Sequence, residues 1–78
     1  MILQVLIEDA GPNWCAGPLT DEIGLLLVTA PTREETVDRF LSALAEHLND
    51  MAIEGLGVPD IQGVEFHETV PFRMAAAA

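Results

Sequence analysis

Lysine and tyrosine are absent from this chain, and its only cationic side chains are three arginines. Against them stand 13 aspartates and glutamates, for a formal net charge of -10 at pH 7. A surface so poor in positive charge repels a phosphate backbone, so direct binding to nucleic acid is not expected. A basic partner would be attracted. The plainer reading of the same charge is a small protein kept soluble by its acid.

Cysteine is equally scarce. Cys15 alone cannot close an intramolecular disulfide, and no cysteine–histidine spacing suggests structural zinc. Long apolar runs are missing too: Met1 to Ile7 is apolar, but it lacks a basic flank and meets Glu8-Asp9 at once. Neither a signal peptide nor a membrane span is expected, which fits a cytoplasmic protein. There is no glycine-rich phosphate loop, because Gly55-Leu56-Gly57 ends a helix pattern rather than opening one. With 78 residues the chain makes one small domain. A chain of this size buries only about 60–65% of the surface its unfolded form exposes. With no staple available, oligomerisation is the remaining route to extra stability.

The strongest pattern runs from Gly24 to Met51. Leu25-Leu26-Leu27-Val28 reads as a strand, passes through Thr29-Ala30-Pro31, and turns into a helix at Thr32. Thr32 and Glu35 fit a capping box, and Glu34 and Glu35 place negative charge in the first turn, where the helix dipole favours it. Val37, Phe40, Leu41, Leu44, Leu48 and Met51 recur at helical spacing, and Gly55, Gly57 and Pro59 supply the stop.

Before this segment, Ile2 to Glu8 predicts a first strand, with Leu3, Val5 and Ile7 on one face and Ile2, Gln4 and Leu6 on the other. Both faces are mostly apolar. A second strand is expected at about Trp14–Leu19, weakened by Gly17 and Pro18 and so suited to an edge, a bulge or an early end. A third covers roughly Leu25 to Thr29. After the helix, Val64 to Val70 alternates, with Val64, Phe66, Glu68 and Val70 sharing a face.

The expected fold class is therefore α+β. A three-stranded antiparallel meander is followed by one long helix and a fourth strand that returns parallel beside the first (βββαβ). Residues 1–70 form the domain and 71–78 a tail. One helix covers only one face of such a sheet, so a homodimer or higher homo-oligomer is the simplest cover for the other.

This pattern resembles the HicB-like antitoxin superfamily over about residues 2 to 70. The resemblance is carried by Gln4-Val5-Leu6-Ile7-Glu8, the aromatic-led Trp14-Cys15-Ala16, the run Asp21-Glu22-Ile23-Gly24, and the passage Val28-Thr29-Ala30-Pro31-Thr32-Arg33-Glu34-Glu35. It is closest to the short stand-alone type. It implies a partial RNase H-like fold without RNase activity and, in members paired with a toxin, neutralisation of a small basic ribonuclease. Gly24-Leu25 stands where members of that superfamily carry Pro-Gly, so the local turn is expected to differ. Only Pro71 to Ala78 remains for the DNA-binding module many such antitoxins carry, so operator binding is not expected.

No catalytic, cofactor or metal site is expected. Glu8-Asp9 and Asp21-Glu22 read as solvated loop acids rather than a two-metal site, since no matched set converges with them. His47 and His67 lack spaced partners, and Cys15 lacks a neighbouring base. The expected partner-binding residues are Trp14, Glu34, Glu35, Asp38, Glu46 and Asp50. Trp14 has two readings, as filler of the core or dimer seam or as an exposed anchor. The acidic helix face likewise reads either as solvated surface or as a docking surface for a basic protein.

Overall fold

The computed structural model describes residues 1–69. In order along the chain they form β1 (Ile2–Asp9), β2 (Trp14–Pro18), β3 (Val28–Ala30), α1 (Arg33–Ile53) and β4 (Gly63–Glu68). The four strands make one mixed sheet in the order β3-β2-β1-β4. β1 pairs antiparallel with β2 and parallel with β4, and β2 pairs antiparallel with β3. The domain is thus α+β, with α1 serving as the crossover between β3 and the far edge of the sheet.

Local chemistry sets each boundary. Between β1 and β2 the chain reverses through a turn in which Ala10 N–H donates to the Asn13 carbonyl at 2.8 Å and Gly11 N–H to the Asp9 carboxylate at 2.9 Å. Gly11 sits at φ 99°, a backbone conformation that side chains disfavour. At the start of α1, the Thr32 hydroxyl accepts from Glu35 N–H at 3.2 Å, satisfying one of the orphan donors of the first turn. The helix ends in a Schellman turn: Gly55 at φ 76° donates to Ala52 at 3.1 Å, and Leu56 donates to Met51 at 2.9 Å.

The core lies between α1 and one face of the sheet. Alternation sends Leu3, Val5 and Ile7 of β1 to that side, where they are fully buried with Ala16, Ile23, Phe40 and Leu44. Phe40 meets Phe66 edge to face at a centroid distance of 5.9 Å and an interplanar angle of 82°, a favoured aromatic geometry. Thr36, a polar residue that the apolar periodicity passes over, is buried as well. Its hydroxyl donates to the Thr32 carbonyl at 2.7 Å, so the polar group is satisfied within the helix.

Three boundaries differ from the sequence reading. The third strand is Val28–Ala30 and not Leu25 to Thr29. β2 ends at Pro18, which has no N–H to donate, and Leu19 N–H is spent on the Gln4 carbonyl of β1 at 2.9 Å. The ladder to β3 therefore stops at Ala16 opposite Val28, leaving Leu25 to Leu27 without a partner strand. β2 ends early but lies inside the sheet, between β1 and β3. β4 stops at Glu68; Val70 and the tail at 71–78 fall outside the described residues. Leu41, assigned to the apolar helix face, is 44% exposed at the rim of the core, next to the fully buried Phe40.

That contrast between neighbours is testable. Phe40→Ala is expected to destabilise the domain by about 3–5 kcal/mol, and Leu41→Ala by less than about 1 kcal/mol. Urea unfolding of the two variants reads the difference.

Candidate functional site

Two surfaces of different character are candidate sites. The first is the solvent side of α1, where Glu34, Glu35, Asp38, Glu46 and Asp50 are all exposed. Among the described residues, the arginines of the same helix form no ion pair with them. Arg33 Nε donates to Glu68 of β4 at 2.7 Å, and the Arg39 guanidinium donates to the Thr29 carbonyl of β3 at 2.9 Å. Both cations are turned toward the sheet. An open groove of about 410 Å³ follows the junction of α1 with β3, lined by Val28, Asp38, Arg39, Ser42, Ala43 and Glu46.

Trp14 lies elsewhere. It opens β2 opposite Asp9 and Ala30, is half-buried, and packs against the core cluster. Its register puts it on the same side of the sheet as Ala16, facing the helix layer.

The second surface is the face of the sheet that α1 does not cover. Alternation and register bring Ile2, Gln4, Leu6 and Glu8 of β1 onto it, with Cys15 and Gly17 of β2 and Glu65 and His67 of β4. Exposed apolar side chains gather there: Ile2 is 47% exposed, and Leu25 and Leu27 of the preceding loop are 86% and 65% exposed. A cleft of about 200 Å³ is walled by Leu6, Gly17, Leu25 and Leu27, with Glu8 and Cys15 also lining it. Gly17 makes room for the leucine, since a Cβ there would come within 3.3 Å of Leu27 Cδ1. Beside it, the Cys15 thiol donates to Glu8 Oε1 at 3.7 Å. Burial pushes the thiol's pKa up, and the Glu8 charge and hydrogen bond add to that shift. On the β1–β4 side of the same face, His67 contacts Gln4 and lies 3.3 Å from Glu65.

Two of the loop acids, Asp9 and Glu22, have local partners. Asp9 holds its own turn, and Thr20 donates to Glu22. Among the described residues no group of three or more His, Cys, Asp or Glu side chains converges to hold a metal ion. His47 Nε2 lies 2.6 Å from the Ile23 carbonyl, a donor–acceptor contact that ties the Asp21 to Leu27 segment to α1. Sequence reasoning passed over Glu8 facing Cys15, although closing the hairpin at Asp9 and Trp14 places those two residues opposite each other.

Comparison of the chain with protein-family models, with curated proteins and with solved structures finds no match. Among the described residues, no helix is long and apolar enough to cross a membrane.

The Glu8–Cys15 contact makes a prediction. The folded thiol holds its proton more tightly than the unfolded one, so its contribution to stability is complete below the unfolded thiol's pKa. That contribution is lost as pH rises through the folded value. Cys15→Ala should flatten the alkaline loss of stability. Glu8→Gln should bring the thiol pKa down and speed alkylation of Cys15 by iodoacetamide several-fold near neutral pH. Alkylation rates followed by mass spectrometry check the second outcome.

Proposed function

We propose that the chain is a non-enzymatic binding module of the HicB-like antitoxin type, with a partial RNase H-like sheet, that captures a small basic protein such as a ribonuclease toxin. The observation that carries this reading is the excess of acid on the outer face of α1. Glu34, Glu35, Asp38, Glu46 and Asp50 face solvent, while Arg33 and Arg39 are both engaged with the sheet. A field of one sign at the surface speeds encounter with a partner of the opposite sign and disfavours acidic or nucleic-acid partners. Trp14, half-buried at the start of β2, is the apolar contact in this reading. The order β1-β2-β3-α1-β4, the parallel pairing of β1 with β4 and the Thr32 cap support the family assignment.

A second reading, a stand-alone homo-oligomer with a structural or regulatory role and no toxin partner, is favoured by a different observation. The open sheet face exposes Ile2, Leu25 and Leu27 on a domain too small to have stability to spare.

Expression of the tagged domain in its own host separates the two. The first reading expects a small basic protein to be retained and then released by salt. With that partner purified, the combined substitutions Glu34→Lys, Asp38→Lys and Glu46→Lys should weaken binding about tenfold or more at low ionic strength, with the gap closing as salt rises. Unchanged affinity in calorimetry removes the helix from the interface. A domain that comes down alone and sediments as a dimer favours the second reading.

A further inference from the structure

We infer that the cleft between Leu6, Gly17 and Leu27 on the open sheet face is an anchor site for one arginine side chain of a protein partner, with Glu8 as the acceptor of its guanidinium. The inference rests on the reading of the chain as a module that captures a basic protein, and it names a contact which the acidic helix alone does not supply.

The cleft's size, walls and single charge suit that occupant together. Its volume of about 200 Å³ falls below the roughly 300 Å³ at which pockets for small organic ligands begin, and matches the scale of one long side chain. The walls are the apolar surfaces of Leu6, Leu25 and Leu27, with Leu27 seated over Gly17. An arginine buries its aliphatic stem along such surfaces while keeping its charged head in a polar setting. Glu8 supplies that setting from the same cleft. Its recorded partner is the Cys15 thiol at 3.7 Å, a weak donor that leaves most of the carboxylate's acceptor capacity unused. A guanidinium is planar, forked and weakly hydrated, so it can bind a carboxylate with two parallel hydrogen bonds beside an apolar wall. A lysine ammonium is more strongly hydrated and has no such fork.

Charge argues against a second copy of the chain as this occupant. Of the three arginines, Arg33 and Arg39 are held by Glu68 and by the Thr29 carbonyl, and Arg73 lies outside the described residues. A second copy would instead bring Glu8 and Glu65 of one open face toward those of the other, on chains of net charge -10.

The test is an NMR titration of the full chain with a capped Leu-Arg-Leu peptide. The same peptide with citrulline in place of arginine serves as the control, because it keeps the shape and removes the charge. Expected are shifts centred on Leu6, Cys15, Gly17 and Leu27, with the citrulline peptide and Glu8→Gln each weakening binding about tenfold. Gly17→Ala, whose Cβ would come within 3.3 Å of Leu27 Cδ1 and displace that wall without changing any charge, should also weaken it, and the unperturbed spectrum of each variant reports that the fold is kept. Equal binding of the two peptides overturns the inference. So do shifts centred on the outer face of α1, or shifts at the cleft that follow protein concentration alone and give the face to a second copy. With a purified basic partner, full affinity of Glu8→Gln alongside loss in the charge-reversed helix defeats this inference and leaves the binding module standing. Loss in neither variant defeats both.

Discussion

The packing of a single helix against β1 is the contact on which everything else in the domain depends. Leu3, Val5 and Ile7 are sealed by Phe40 and Leu44, and Phe66 of the parallel partner strand closes against Phe40 at 5.9 Å. β1 is the one strand with neighbours on both sides that arrive from opposite ends of the chain. Loss of its contact with α1 would free both the hairpin and β4. The same contact has a geometric consequence. One helix can cover one face of a sheet, so the alternate residues of β1, Ile2, Gln4, Leu6 and Glu8, are necessarily left on the other. The bare face is the complement of the core.

Electrostatics are divided along the same lines. The two arginines of α1 reach inward to Glu68 and to a carbonyl of the short strand β3, and so stitch the helix to both edges of the sheet. These contacts are exposed and contribute modestly to stability. Their larger effect is on what remains: Arg33 is paired with Glu68, and Arg39, whose carbonyl partner leaves its charge in place, stands against the exposed Glu34, Glu35, Asp38, Glu46 and Asp50. Of the carboxylates on the open face, Glu8 sits in the cleft among leucines, and Glu65 lies beside Gln4 and His67. The domain thus has one strongly acidic surface, on α1, and one mixed apolar and polar surface, on the open face of the sheet.

Much of the fold was legible in the residues. The capping threonine, the apolar stripe around Phe40 and Leu44, the alternation of β1 and the glycine stop each report a local preference that the tertiary structure respects. The third strand was misplaced because a leucine run reads as a strand in isolation, while strand formation also requires a partner. Pro18 takes that partner away, and it lies seven residues from Leu25 in a different element. Thr36 was invisible for the opposite reason: its hydroxyl is satisfied inside the helix, so a polar residue occupies a core position at no hydrogen-bonding cost. Of the candidate surfaces, the helix acids follow directly from periodicity. The cleft at Leu27 does not, because it depends on a glycine in one strand and a loop leucine that lies over it.

The central claim is that β1 has one sealed face and one face open to solvent. Solvent paramagnetic relaxation measured on the methyl groups of the dilute, isolated chain tests it most directly. The account predicts strong relaxation at Ile2, Leu25 and Leu27, intermediate relaxation at Leu6, and near-complete protection at Leu3, Val5 and Ile7. Equal protection of both sets under those conditions would contradict it.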